Sequence, residues 1–175
     1  MQCWFAKYHY DLWRPVVGIR EANPGSGPTG QGDGNPWTVG DTDWQPLGAP
    51  RSNPAVPAGF PDWSPARNFT PNFPAYPSGH ATFGAAAFGV VRGFYGTDNV
   101  PFSFVSDELN GSTLDADRSV RPRLERSFPT LSQAALENAL SRVYLGVHWI
   151  FDGTAGLKAG TEVGNATFGA ILKPV

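Results

Sequence analysis

Three short runs, far apart in the chain, carry residue types that handle anions and protons. The first is Lys7-Tyr8-His9-Tyr10-Asp11-Leu12-Trp13-Arg14-Pro15. The step from Lys7 to Arg14 turns a helix through about 700°, so both cations would project from nearly one face. Two cations on one face among aromatics repel each other unless an anion lies between them. The second run is Pro77-Ser78-Gly79-His80, at the head of an alanine-rich stretch. A helix starting there offers free backbone N–H groups and partial positive charge, which suit an oxyanion. Ser78 can donate a hydroxyl, Gly79 permits close approach, and His80 can exchange a proton with whatever binds. The third run spans Ser141-Arg142 to His148-Trp149-Ile150-Phe151-Asp152. His148 and Asp152 are four apart and stack on a helix. The carboxylate could then fix one imidazole nitrogen and leave the other free as nucleophile or ligand. Arg142 precedes His148 by a step of about 240° around an ideal helix. Either its long side chain reaches around, or the helix is irregular near Gly146.

Each run alone also fits an ordinary role: a solvated basic stripe, a serine cap beside a surface histidine, a satisfied histidine–aspartate pair. Their combination is far more specific. K-x6-R-P, P-S-G-H and S-R-x5-H-x3-D occur in that order, and every anchor residue is present. This resembles the signature of the vanadium-dependent haloperoxidases and of the related type 2 phosphatidic acid phosphatases and bacterial acid phosphatases. The longer strings FPAYPSGHATFG and SRVYLGVHWIFD look like the chloroperoxidase branch.

The resemblance implies a pocket for vanadate or phosphate. His148 would bond vanadium, or attack phosphorus in a phosphatase, and Asp152 would orient it. Lys7, Arg14 and Arg142 would neutralise the anion's oxygens, helped by the Ser78 hydroxyl and the Gly79 N–H. His80 would be the acid–base group, and Lys7 would also polarise peroxide. Trp4 and Phe73 resemble the apolar wall of a halide site, with plain packing as the other reading. Hydrogen peroxide and halide would be substrates, a small organic acceptor could follow, and hypohalous acid would leave. Neither haem nor a redox protein partner is implied. Three readings stand side by side: haloperoxidase, phosphomonoesterase with His148 as nucleophile, and a non-catalytic part of a larger helical assembly. A serine hydrolase is rejected, because Ser78 sits in no G-x-S-x-G elbow and His80 is badly placed as its base.

Elements must position these residues. The resemblance implies an all-α fold, a helical bundle of the acid phosphatase/vanadium haloperoxidase type. Residues 1–175 form one domain, expected to be partial because the family's helices upstream of Lys7 have no counterpart. A first helix is expected over Met1–Glu21, disturbed by Pro15. Residues 21–77 hold twelve of the 17 prolines and eight glycines. They also carry Trp37, Trp44, Phe60, Trp63, Phe69 and Phe73, so this insertion reads as an ordered loop packed on the scaffold. Ser78 caps a helix to about Tyr95. Gly96–Phe128 reads as loop or short strand. Apolar residues from Leu131 to Tyr144 recur at helical spacing, Thr130 with Gln133 suggests a capping box, and Gly153 is expected to end that helix. A last helix is expected over Thr154–Leu172.

Composition bounds the rest. The chain has 175 residues, 41% of them hydrophobic and 16% charged, which excludes wholesale disorder. Net charge is −2, so no nucleic-acid footprint is expected. The single cysteine, Cys3, excludes a thiolate metal cluster. No apolar run is long enough to span a membrane, which disfavours a lipid phosphatase. Met1–Tyr10 lacks the apolar core of a signal peptide. Compartment and halide preference are not legible. Exposed apolar faces would drive self-association.

Overall fold

The computed structural model describes residues 2–26, 30–46, 70–114 and 118–171. Five helices and one hairpin follow in the order α1 (Gln2–Tyr10), α2 (Pro15–Arg20), α3 (Gly79–Tyr95), β1 (Phe102–Asn110), β2 (Arg123–Phe128), α4 (Leu131–Tyr144) and α5 (Ile150–Ala170). The fold is a helical bundle, as the motif resemblance implied, with a small two-stranded sheet besides.

The single helix expected over Met1–Glu21 is broken into two. Asp11 takes a left-handed φ of 45°, a conformation that aspartate tolerates better than most residues. Arg14 is extended, and Pro15 restarts the chain as the first residue of α2. Lys7 and Arg14 therefore do not share a helix face; the turn between them brings them together instead.

α3 behaves as expected. Ser78 caps it by accepting from Ala81 N, and Gly96 closes it at φ 67°. Its buried residues Ala81, Ala85 and Gly89 recur every four, as do Gly156, Gly160 and Gly164 of α5. These two rows of small residues interlock, as i±4 ridges do. A Cβ on Gly164 would come within 2.6 Å of the Ala86 carbonyl oxygen, and one on Gly156 equally close to that of Ser78. Backbone contact of this kind replaces bulky core side chains.

The helix expected to run from Leu131 until Gly153 ends it is also two. α4 ends at Tyr144, Gly146 is left-handed at φ 79°, and α5 begins at Ile150. Gly153 lies inside α5 and ends nothing. The α4 start has two caps: Thr130 accepts from Gln133 N at 3.2 Å, and Asp98 accepts from Ser132 N and Oγ.

Between α3 and α4 runs the antiparallel hairpin, pairing Phe102 with Phe128 and Phe104 with Arg126. Phe88 of α3, Phe102, Phe104 and Phe128 form one aromatic cluster that seats it. Arg126 reaches Glu137 of α4 at 2.6 Å. In the 21–77 segment, Arg20 donates to the Trp44 carbonyl, and Trp44 packs beside Gly146. Trp37 is 90% exposed rather than packed into the scaffold. Phe60, Trp63 and Phe69 lie outside the described residues.

Candidate active site

Lys7 is 1% exposed although α1 otherwise lies on the surface. Its ammonium donates to the carbonyls of Pro74 at 2.9 Å and Ala75 at 3.0 Å, which leaves one of its three N–H groups. Burial, then the neighbouring Arg14, pull its pKa from 10.5 down to about 8. Arg14 is equally enclosed. Its Nε donates to Phe73 O at 2.9 Å and Nη1 to Val147 O at 2.8 Å, while Nη2 makes no hydrogen bond among the described residues. Burial lowers its pKa to about 10, against the pull of Asp152. The Phe73 ring lies under both cations, 5.2 Å from Lys7 Nζ and 4.9 Å from the Arg14 guanidinium. That aromatic face stabilises two neighbouring positive charges.

The break at Gly146 sets the third run. The Arg142 carbonyl accepts from both Val147 N and His148 N, so the chain folds back after α4. His148 thus precedes α5, with Trp149 as N-cap, and Asp152 lies in the first helical turn. The expected stacking on one helix is not what joins them. They meet across a helix start, His148 Nδ1 to Asp152 Oδ2 at 2.6 Å. The partial positive charge of that helix end favours the carboxylate. Asp152 is fully buried, and its backbone carbonyl accepts from Ser78 N, which ties α5 to the head of α3. Of the two routes open to Arg142, the irregular helix is the one realised.

His148 is buried, and its pKa is lowered, first by burial and then by Arg14 and Lys7, against the pull of Asp152. Nε2 lies 2.9 Å from Arg14 Nη1. A guanidinium only donates, so Nε2 carries a lone pair and Nδ1 the proton given to Asp152.

Ser78 is buried, with its hydroxyl oxygen accepting from Ala81 N at 3.4 Å, and its proton is available to another acceptor. Beside Gly79 there is open space where a side chain would be. His80 is exposed, held through its own carbonyl by Asn138 Nδ2 at 2.8 Å. Partial burial of its ring, then Arg142, lower its pKa. Arg142 is half-buried, its pKa is lowered by burial, and its Nε makes no hydrogen bond among the described residues. Trp4 meets Phe73 edge-on at 4.8 Å and is partly exposed, so the two do form one wall, though the Phe73 face is turned to cations. The carbonyls of Phe73, Pro74, Ala75 and Val147 hold the cations, and no side-chain letter could have announced them.

The donor set can be tested against an oxyanion. Among the described residues two buried guanidinium nitrogens, Arg14 Nη2 and Arg142 Nε, lack partners, Lys7 has one N–H in hand, and the His148 Nε2 lone pair lies beside Arg14. Unpaired buried donors are costly, and a tetrahedral oxyanion would satisfy them. A bare metal cation would face three positive side chains. Among the described residues there is no group of three histidine, cysteine, aspartate or glutamate side chains that could hold one. The residues fit vanadate or phosphate.

A family model described as the VCPO second helical-bundle domain matches residues 1–175, the full chain. The chain belongs to that family. It is 37% identical over 177 residues to the vanadium chloroperoxidase of Curvularia inaequalis, covering 87% of this chain and 25% of that protein. It therefore spans about a quarter of that curated relative. Holo-type and apo-type bacterial vanadium-dependent chloroperoxidases share the fold at TM-scores of 0.60 and 0.59, with 21% and 19% identity. Each match covers 93% of this chain and 31% of the other. A bacterial vanadium-dependent iodoperoxidase is 33% identical over 62% of this chain and 23% of its own, at a TM-score of 0.45.

Proposed function

We propose that this VCPO-family domain binds vanadate and oxidises halide with hydrogen peroxide to hypohalous acid. The observation that carries the reading is the buried Arg14 guanidinium, 2.9 Å from the His148 Nε2 lone pair and with an Nη2 that is unpartnered among the described residues. His148 Nε2 would hold the vanadium, and Lys7, Arg14, Arg142, Ser78 and the Gly79 N–H would hold the oxygens. Vanadate bound there would act as a Lewis acid toward peroxide at constant oxidation state.

The chain's own residues supply the rest. Asp152 accepts the His148 Nδ1 proton and orients the ring. Lys7 and the two arginines neutralise a highly charged anion where burial has excluded most water. His80, at the open edge, takes the proton that peroxide gives up. Its lowered pKa keeps it a base into mildly acidic solution. Trp4 and Phe73 strip water from an approaching halide, which makes it a better nucleophile.

The test is peroxide-dependent bromination by the purified chain with and without vanadate, run beside hydrolysis of a phosphate monoester. Vanadate-dependent bromination is expected. Hydrolysis without bromination would move the assignment to a phosphomonoesterase with His148 as nucleophile. Neither activity together with no oxyanion binding would leave a structural part of a larger assembly.

A further inference from the structure

We propose that Arg14, besides neutralising the anion, is the positioning residue that aims the His148 lone pair and passes an N–H to the anion when it arrives. The second half rests on the oxyanion reading above; the first does not. The Arg14 guanidinium is fixed from three directions: Nε by Phe73 O, Nη1 by Val147 O, and its face by the Phe73 ring. A planar fork held that way has no freedom in where its remaining hydrogens point. One Nη1 hydrogen goes to Val147 O; the other meets His148 Nε2 at 2.9 Å.

Asp152 alone does not determine what Nε2 carries. It accepts from Nδ1–H whether or not a hydrogen sits on the far nitrogen. Arg14 decides that end, because a donor facing Nε2 leaves room only for a lone pair. The ring is thus held from both sides, by a carboxylate at Nδ1 and a guanidinium at Nε2. Nη2, on the same guanidinium, is a buried donor without a partner among the described residues. An oxyanion that engages Nη2 is therefore delivered beside Nε2. As it takes the Nε2 lone pair, its oxygens enter the path of the Nη1 hydrogen, which keeps its direction and exchanges ring nitrogen for anion oxygen. The anchors at Phe73 O and Val147 O stay in place, so the exchange needs no swing of the side chain. The site is organised before the anion binds, which reduces the ordering cost of binding.

Nuclear magnetic resonance of the intact chain, nitrogen-labelled at histidine and arginine, tests this without vanadate. In the anion-free protein His148 should carry its proton on Nδ1, and Nε2 should show a through-hydrogen-bond coupling to Arg14 Nη1. Arg14→Lys keeps a cation but loses the fork. It should abolish the coupling and move the Nε2 resonance downfield, toward a ring nitrogen with no donor. If that variant does not fold, the wild-type coupling decides alone. Its absence, or a proton found on Nε2, overturns the positioning role. Saturating inorganic phosphate should remove the coupling; phosphate bound with the coupling intact overturns the transfer. Failure of phosphate to bind at all sinks the oxyanion reading and the transfer with it, while the anion-free coupling still reports the positioning role.

Discussion

Buried cations are tolerated only where something offsets them. Lys7 has two carbonyls and an aromatic face, and burial still lowers its pKa to about 8. Because burial depresses this cation's pKa, it is charged below about pH 8 and neutral above. Affinity for a tetrahedral anion should hold below that value and decline above it, by up to about tenfold per pH unit. Sulfate is the suitable probe, since its own charge is constant there; calorimetric affinities that stay flat through that range would contradict the role of Lys7. His80 stands apart from the buried set. His80→Ala should leave vanadate affinity within a few fold and lower the bromination rate by about 10²–10⁴. Equal loss of binding and turnover would deny it the acid–base role. The residue letters revealed all of these side chains. They could not reveal that backbone carbonyls of residues 73–75 and 147 hold them.

Two interruptions and one seam build the site at the level of elements. The seam is the α3–α5 contact, where a Cβ on Gly160 would run into the Thr82 carbonyl. Gly160→Val should force the helices apart and cost about 1–3 kcal/mol, read from the urea midpoint. Gly146 is the more telling position. Its φ of 79° strains any side chain there, and a Cβ would crowd Trp44 and Pro46. Gly146→Ala should cost roughly 1–3 kcal/mol and also weaken vanadate binding, because His148 hangs on that turn. A variant that loses stability but binds vanadate normally would separate the turn from the site. α3 was legible from Ser78 and its alanine run, because a cap and a periodic stretch are local signals. The breaks at Asp11–Arg14 and Gly146–Trp149 were signalled only in part, by Pro15 and Gly146. Periodic apolar residues continue on both sides, and only tertiary contacts choose a bend over a continuous helix. The expected i,i+4 stacking of His148 and Asp152 named the right pair for the wrong geometric reason.

At the scale of the molecule, large apolar side chains lie outside. Phe5, Phe83, Phe94 and Tyr144 are exposed, whereas the core is mostly alanine with a few larger residues. No described helix is long and apolar enough to cross a membrane. Such faces should make the purified chain self-associate, with sedimentation that depends on concentration; a monomer at every concentration would contradict this. The matched family domain is a second helical bundle, and the chain spans about a quarter of its curated relative. Whether three distant stretches make one working cavity is therefore best asked of this chain by itself. Vanadium NMR of orthovanadate titrated with the purified protein is the direct measurement. One bound vanadate per chain is predicted, lost on His148→Ala. Vanadate that stays free at all protein concentrations, or binds the alanine variant just as well, would contradict the account.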